Sequence, residues 1–505
     1  MKHPFSLVPA FHSASDVLDQ DIIDRIVAIK QRVLERIKPS QQEIDEGKAI
    51  TDEVCGAIRA ALERVAPVDY VEPQGSTGIK QTQLAGDHDV DLFIGLDPSI
   101  VLQHGDMARK KVREILKHQF TKWIDDVLIP CARDDLAAEK IQFTYAEHPY
   151  LSITVRGMKF DVVFCINITS DEITAHNIVT AMDRTPLHSQ FVRGNLSDEQ
   201  RDDVRLFKAF LKAGHVYGDR AAPGQMGIVG YCTEILIHFF GSVETAMVNF
   251  AALETEPVDV HGRSKAEVAA MPRFGNDFAI VVDPTDPNRN VASSLDERTF
   301  RHAAHLIAAF LENPDASYFE RLPIPDPPND DPRFVAISVV NSQEVHYTVV
   351  RDKLYKIGEA VKRNLEQEST HEPMFGEIEY AVLLAKDDTA AALAFFVENP
   401  EIPIIFKRYG PAPDEERPRV AAFLDKHPDA ALDETGKYFF LKEREETAFV
   451  PAAIKEVEKS FDIRGAQPAR DASGLILAES DPADVLCRQV IHVLKTMVLP
   501  YINKA

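Results

Sequence analysis

The chain has 505 residues, 45% of them hydrophobic and 27% charged, and this length is too great for a single hydrophobic core. We therefore expect three or four domains. The 80 acidic residues outnumber the 56 basic ones and give a formal net charge of −24, which excludes a surface that is basic throughout. Local basic patches remain compatible with this charge, because an acidic surface elsewhere serves solubility.

Five cysteines are scattered along the chain without a CxxC pair or a regular spacing. This pattern excludes a disulfide framework or a zinc knuckle and is typical of buried thiols in a reducing compartment. Pro4 and Pro9 interrupt the N-terminal segment before an apolar stretch of signal-peptide length, and no later stretch approaches the ~18 uncharged apolar residues of a membrane helix. We expect a cytoplasmic protein without a membrane partner, and the sequence leaves a monomer and a homodimer open.

Residues 1–167 are predicted to form a domain that combines helices with a sheet. Helical and strand periodicities alternate there, and the last two strand runs are separated by only a few residues. In chain order the predicted elements are two amphipathic helices over 15–66, strands and turns over 71–96, a helix over 107–127, and the strands Tyr150–Val155 and Lys159–Ile166 joined by a tight turn at 156–158.

The rest of the chain is predicted as a helical domain over 168–320, a linker over 321–332 and an α+β part over 333–505. Five prolines between Leu322 and Pro332 exclude a helix or a central strand in the linker. After the linker, a β-α-β unit is predicted from a strand over 334–340, a helix over 349–365 and a strand over 375–384. The sequence thus predicts an α+β multidomain fold.

A pair of carboxylates is the first chemical feature of the chain. Asp89 and Asp91 lie two residues apart on a strand-like run, so both side chains project from the same face of the strand. Because the two anions repel each other, a divalent cation would stabilise the pair.

A Gly-Ser turn precedes this pair. Gly75 and Ser76 can present backbone N–H groups and a hydroxyl to a triphosphate, and Lys80 adds a positive charge. A carboxylate pair together with a phosphate-binding turn indicates a nucleotide and Mg²⁺ as the cofactor.

A third carboxylate, Asp161, interrupts the apolar strand Phe160–Phe164. An Asp in such a strand costs several kcal/mol unless it is paired or binds a metal. We therefore predict that Asp161 joins Asp89 and Asp91 as a catalytic metal ligand.

The Gly-Ser turn, the Asp-x-Asp pair and the later strand Asp resemble the signature of the polymerase-β-like nucleotidyltransferase superfamily. Further segments resemble archaeal-type (class I) CCA-adding enzymes, which are tRNA nucleotidyltransferases, and the resemblance covers roughly residues 20–460. These segments are Tyr145–Tyr150, Phe160–Phe164, Met182–His188, Val204–Lys208, Val216–Gly218, Gly230–Glu234, Asp283–Val291 and, more loosely, Arg408–Pro411.

The resemblance implies a polymerase-β-like catalytic domain, a helical central domain that closes the NTP cleft, and a C-terminal α+β body and tail that bind RNA. It implies transfer of CMP and AMP from CTP and ATP to the tRNA acceptor end with two Mg²⁺ ions. By position, it assigns Asp89, Asp91 and Asp161 to the metal ions, and Ser76, Lys80, His188, Lys208 and Tyr217 to the nucleotide.

Three departures from the family pattern lie in the turn. The family usually carries an Arg at the position of Lys80 and a Trp at that of Gln83, and its span from Gly75 to Thr82 is one residue shorter. Lysine keeps the charge but lacks the planar two-pronged donor geometry of arginine, so we expect a weaker or differently aimed hold on the triphosphate.

A basic helix after the linker is the candidate RNA-binding surface, although no aromatic stacking platform is evident from the sequence. Its basic residues are Arg351, Lys353, Lys356, Lys362 and Arg363.

Two alternatives stay open at this point. A related nucleotidyltransferase could make oligonucleotide messengers or extend another RNA, and the acidic net charge suits such an enzyme. A fold that has lost catalysis and serves as a binding module is disfavoured, because the three aspartates and Ser76 are all retained.

Overall fold

The computed structural model describes residues 11–105, 107–145, 148–169, 180–342, 346–368, 373–468, 470–471, 474–475 and 484–502. Pro4 and Pro9, residues 146–147 of one family-like segment, and residues 170–179 near the start of the predicted helical domain lie outside these ranges. The chain divides into two compact units, Met1–Ala221 with Met226–Leu322, and Ala222–Gln225 with Pro323–Ala505. The finer domain boundaries at 167 and 320 stay predictions.

Two long helices precede a five-stranded sheet in the first unit, as the periodicities predict. Ser40 begins the second helix by accepting a hydrogen bond from the backbone N–H of Glu43. The elements are α1 (Gln20–Ile37), α2 (Gln41–Leu62), β1 (Val68–Gln74), a helical turn (Ser76–Lys80), β2 (Asp89–Leu96), α3 (Arg109–Trp123), β3 (Lys140–Tyr145), β4 (Pro149–Val155) and β5 (Met158–Ile166).

The two faces of the central strands have different surroundings, and this difference positions the site. The strand order is β1-β2-β5-β4-β3, with β2 and β5 parallel and adjacent. Val90, Leu92 and Ile94 belong to the main core of the sheet together with residues of α2 and α3. Because strand side chains alternate, Asp89 and Asp91 project from the opposite face of the sheet.

The tight turn predicted between the last two strands is confirmed. Arg156 and Gly157 have φ values of 51° and 76°, and Val155 pairs directly with Met158. Two consecutive positive φ angles define a type I′ turn, whose twist matches that of an antiparallel pair of strands.

The remainder of the first unit is mostly helical. Ser197 and Gln200 form a reciprocal capping box at the start of α5, and this helix is buried along most of its length within the largest core. The elements are α4 (Thr185–Asn195), α5 (Asp198–Ala213), α6 (Gly230–Phe240), α7 (Val243–Val248), the ribbon β6 (Val282–Asp283) and β7 (Asp286–Asn290), and α8 (Glu297–Glu312).

The second unit contains a four-stranded sheet and a separate three-stranded sheet. The predicted β-α-β connection is present as β8-α9-β9, but β10 lies between β8 and β9 and pairs antiparallel with both. The elements are β8 (Phe334–Asn341), α9 (Tyr347–Leu365), β9 (Ile378–Leu384), β10 (Ala390–Val397), β11 (Ile405–Tyr409), α10 (Arg417–Lys426), β12 (Ala431–Leu432), β13 (Tyr438–Glu443), α11 (Phe449–Ser460), β14 (Ala466–Pro468) and α12 (Val485–Val493).

Four of the five cysteines are buried, and Cys55 is half-buried. Within the described ranges, the structure contains no helix that is both long and apolar enough to cross a membrane.

Candidate active site

Two predicted metal ligands are direct neighbours in the sheet. Asp91 on β2 pairs in register with Asp161 on β5, and Asp89 pairs with Lys159. Paired residues of adjacent parallel strands project from the same face, so all four side chains share the face opposite the main core. The Lys159 ammonium lies 2.9 Å from Asp161 Oδ2 and offsets part of the negative charge.

Desolvation and neighbouring charges shift the pKa values of Asp91 and Lys159. Desolvation by the surrounding protein, followed by repulsion from Asp161, raises the pKa of Asp91 above its ordinary value. Burial alone would lower the pKa of Lys159, but attraction to Asp161 raises it, so the ammonium stays charged. The site therefore holds carboxylates whose mutual repulsion a cation would relieve.

The donor set fits a divalent metal ion. Asp161 Oδ1 is buried and has no hydrogen-bond partner. An orphaned carboxylate oxygen beside a second carboxylate suits Mg²⁺, which prefers oxygen ligands. In the part of the chain that the structure describes, no group of three or more His, Cys, Asp or Glu side chains is gathered closely enough to hold a metal, so joint ligation by Asp89, Asp91 and Asp161 stays a prediction.

Gly75 is required at its position for two reasons. Its φ of +70° lies in the region that side chains other than glycine rarely adopt. A Cβ atom at this position would also lie 2.4 Å from Asp91 Oδ2. The predicted turn therefore lies directly against the predicted metal site.

The residues after Gly75 form a kinked helical turn, Ser76–Lys80, in which Gly78 has non-helical backbone angles of φ −85° and ψ −123°. The backbone N–H of Thr82 donates to the Ser76 carbonyl at 3.0 Å, and Gln81 adopts a left-handed conformation with φ 54°.

Lys80 and Lys208, both predicted nucleotide ligands, meet at a residue that the sequence analysis did not single out. Glu234 on α6 accepts from Lys80 Nζ at 2.8 Å through Oε2 and lies 3.2 Å from Lys208 Nζ through Oε1. The Thr82 hydroxyl donates to the same Oε1 at 2.7 Å and accepts from Lys208 at 3.0 Å. All four side chains are buried.

Ionisation within this cluster is set by the balance of burial and charge. Burial opposes the ionisation of Glu234, but the ammonium groups of Lys80 and Lys208 outweigh it and lower the pKa of Glu234 to about 2. Burial also lowers the pKa of Lys208, and the Glu234 carboxylate opposes that shift. The charge of Lys208 thus depends on its acidic partner.

His188 on α4 belongs to a second network. Its Nε2 lies 2.9 Å from Asp283 Oδ2, and its ring stacks on Tyr231 at a centroid distance of 4.1 Å. Asp283 also accepts from the Tyr231 hydroxyl at 3.0 Å and from Arg289 at 2.8 Å. Burial lowers the pKa of His188, although Asp283 opposes the shift, so a neutral ring is favoured near pH 7.

The two networks are joined at Tyr231, because Lys80 Nζ lies 5.0 Å from the centroid of its ring. Tyr217, the remaining predicted nucleotide ligand, lies beyond the end of α5, and its ring centroid is 5.5 Å from Lys212 Nζ. A Cβ atom on Gly230 would lie 2.8 Å from the Tyr217 hydroxyl, so Gly230 leaves the room that this hydroxyl requires.

The predicted basic surface on α9 is reduced by pairing. Arg351 is buried and bonds Asp352, whereas Lys362 lies 2.5 Å from Glu379. Lys356 and Arg363 are exposed.

A second basic surface, which the sequence analysis missed, lies beside the three-stranded sheet. His427 stacks on Phe440 at 3.8 Å with an angle of 11° between the ring planes. Arg408, Lys426 and Lys442 are exposed and line the same pocket. The two rings lie 13 residues apart in the chain, so no sequence spacing indicated that they stack.

Known proteins that are similar to this chain are tRNA nucleotidyltransferases or CCA-adding enzymes. Residues 202–320 match the family described as tRNA nucleotidyltransferase, second domain. The chain is 29% identical to the CCA-adding enzyme of Methanosarcina mazei over 438 aligned residues. The alignment covers 83% of this chain and 87% of that protein.

Two further relatives carry the same name. The CCA-adding enzyme of Pyrobaculum islandicum is 29% identical over 403 residues, 78% of this chain and 83% of that protein. The one of Sulfurisphaera tokodaii is 32% identical over 293 residues, 58% of this chain and 61% of that protein. The similarity to the first two covers most of the chain.

Proposed function

We propose that the chain is a CCA-adding enzyme of the archaeal type and that it adds CMP and AMP, from CTP and ATP, to the 3′ end of tRNA without a template. The relatives that carry this name align with the chain over 87% and 83% of their own length. The observation that carries the proposal within the chain is the placement of Asp91 and Asp161 side by side against the Gly75 turn.

Asp89, Asp91 and Asp161 would hold Mg²⁺, and the orphaned Asp161 Oδ1 supports this assignment. When bound, the metal lowers the pKa of the attacking RNA hydroxyl and stabilises the departing pyrophosphate. Lys159 offsets part of the negative charge of these carboxylates, because it pairs with Asp161.

The triphosphate would lie between the Gly75 turn and the start of the helical residues. Ser76 supplies a hydroxyl, and Lys80 and Lys208 supply two positive charges that Glu234 gathers at one point. His188 and Tyr217 complete the set of nucleotide ligands that the family resemblance assigns. These roles stay part of the proposal.

The second unit would hold the acceptor arm of tRNA through phosphate contacts and stacking. The His427–Phe440 ring pair with its three exposed cations supports this role more strongly than α9, where Lys356 and Arg363 are the exposed basic residues. A C-terminal body and tail for tRNA and a cytoplasmic location are parts of the same proposal.

The test is a transfer assay with the purified protein, Mg²⁺ and labelled CTP or ATP. Three reactions contain a tRNA transcript lacking CCA, a transcript lacking only the terminal A, or no RNA. We expect the first transcript to grow stepwise to CCA and stop, the second to accept one AMP from ATP, and the RNA-free reaction to give no product. The Asp91→Ala variant should be inactive in all of them.

Failure to extend either transcript would overturn the proposal. Oligonucleotides in the RNA-free reaction would instead indicate a messenger-producing enzyme.

A further inference from the structure

Glu234 occupies an environment that does not favour a carboxylate on its own. It lies on the apolar helix α6 (GYCTEILIHFF) and is 1% exposed. An unpaired buried carboxylate is strongly destabilising, and this one is held by partners on two other segments. Its partners are Lys80 and Thr82 from the region of the Gly75 turn and Lys208 from α5.

These contacts use both oxygens in a way that fixes the two lysines relative to each other. Oε2 bonds Lys80 at 2.8 Å, and Oε1 contacts both the Thr82 hydroxyl at 2.7 Å and Lys208 at 3.2 Å. Two buried ammonium groups so close together would repel each other without an anion between them. With Glu234 included, the three ionised side chains carry a net charge of +1.

We propose that Glu234 is a positioning residue for triphosphate binding: its two carboxylate oxygens hold the ammonium groups of Lys80 and Lys208 at one point. This inference rests on the proposed function, in which both lysines bind the nucleotide. Glu234 acts only through the lysines.

The proposal predicts a specific dependence on pH. The charged or titratable groups near Lys208 are Glu234, Lys80, Lys212 and the hydroxyl of Tyr217, which lies beside Lys208 at Gly230. Asp87 pairs with Lys212. Glu234 is the acidic member of the set near Lys208. In a Glu234→Gln variant, burial and the neighbouring cations Lys80 and Lys212 all disfavour the charged form of Lys208, and no carboxylate of this set opposes them. The lysine then loses its proton at a lower pH than in the wild type.

The experiment is equilibrium binding of CTP to the full-length protein between pH 6.5 and 9.5, without RNA. For Glu234→Gln we expect the Kd to rise by about tenfold for each pH unit above the lowered lysine pKa, whereas the wild-type Kd starts to rise only at a higher pH. A Glu234→Asp variant keeps the charge but shortens its reach, so we expect weaker binding at every pH with the wild-type profile.

Asp203→Asn is a matched control for loss of a buried ion pair. Asp203 lies on the same helix as Lys208 and is buried, but its carboxylate contacts Lys30 at 2.6 Å. We expect this variant to follow the wild-type pH profile. Unfolding curves of all variants establish that they are folded over the range of pH.

A Glu234→Gln profile parallel to the wild-type profile would overturn the inference, and so would an equal change in Asp203→Asn. If Glu234→Gln does not fold, the dependence of the CTP Kd on pH in Glu234→Asp is the deciding measurement. A dependence like that of the wild type supports the role of the Glu234 charge, and a shifted dependence overturns it. If wild-type protein binds CTP but does not extend tRNA, the proposed function fails while the inference on Glu234 can still hold.

Discussion

Gly75 and Asp91 lie so close together that a single added carbon on the glycine would come within 2.4 Å of the aspartate Oδ2. The turn and the carboxylate therefore constrain each other. In the proposed function, the Gly75–Ser76 turn would bind a phosphate and Asp91 a cation, so their contact would keep these two ligands close to each other.

Replacement of Gly75 by alanine should disable transfer, in addition to the loss of stability that alanine causes at a positive φ. The new methyl group must displace the Asp91 carboxylate, and a misplacement of about 1 Å costs on the order of a hundredfold in rate. The measurement is kcat with a transcript lacking CCA. Gly86→Ala is the matched control, because Gly86 has a similar φ of +77° but nothing within 4 Å of its added Cβ; equal losses in both variants would show that backbone strain, and not the contact, is responsible.

An Asp91→Asn change should lower transfer by about a hundred- to a thousandfold and at the same time stabilise the fold near pH 7. The folded-state pKa of Asp91 is raised by desolvation and by Asp161, so the folded protein binds this proton more tightly than the unfolded chain does. Its contribution to stability is present below the unfolded value near 3.8 and is lost as the pH rises through the raised pKa. Because asparagine carries no ionisable proton, the Asp91→Asn variant does not lose this stability as the pH rises.

Thermal unfolding of both proteins at pH 4 and pH 8 checks the stability half of this prediction. The advantage of Asp91→Asn should be larger at pH 8. A variant that is less stable than the wild type at pH 8 would mean that the carboxylates do not repel each other in the folded state.

The strand carrying Asp89 and Asp91, and the apolar strand interrupted by Asp161, were predictable because period-2 patterns are local. The direct pairing of Asp91 with Asp161 was not predictable, because strand register depends on how β2 and β5 pair across 70 residues of chain. Lys159 could have been found from the sequence, because it lies two residues before Asp161 on the same strand and therefore on the same face.

Glu234 could have been found from the sequence by the same argument that identified Asp161. It is an acidic residue within the apolar helix GYCTEILIHFF, where an unpaired carboxylate would be costly. Its partners Lys80 and Lys208 could not be found in this way, because they lie 154 and 26 residues away in the chain. Asp283 gave no such signal, since its neighbours are polar and turn-forming.

Acid should destabilise the wild-type protein through Glu234. The pKa of this residue falls from 4.5 to about 2 on folding, which corresponds to about 3 kcal/mol of stability. Because the folded pKa is lowered, this contribution is present above pH 4.5 and is lost as the pH falls towards 2. Glu234→Gln should lack this part of the acid dependence. Denaturant unfolding at pH 3 and pH 6 would then show a smaller difference between the two free energies of unfolding than in the wild type.

Exposed cations around the His427–Phe440 pair should contribute to tRNA affinity in a salt-dependent way. Each phosphate contact that is removed lowers the slope of log K against log salt by about one, so a Lys426→Gln, Lys442→Gln double variant should lose about two. The measurement is binding of a tRNA transcript between 50 and 300 mM KCl. Lys356→Gln with Arg363→Gln tests the basic face of α9 in the same assay, and we expect a smaller change in slope.

Lys459→Gln provides the control, since this lysine is exposed on α11 and pairs with Glu456 at 3.5 Å. We expect it to bind tRNA like the wild type. Phe440→Ala separates stacking from charge: loss of a base stack costs about 1–3 kcal/mol at every salt concentration and leaves the slope unchanged. Unchanged affinity in Phe440→Ala together with an unchanged slope in the lysine double variant would place the tRNA on another surface of the protein.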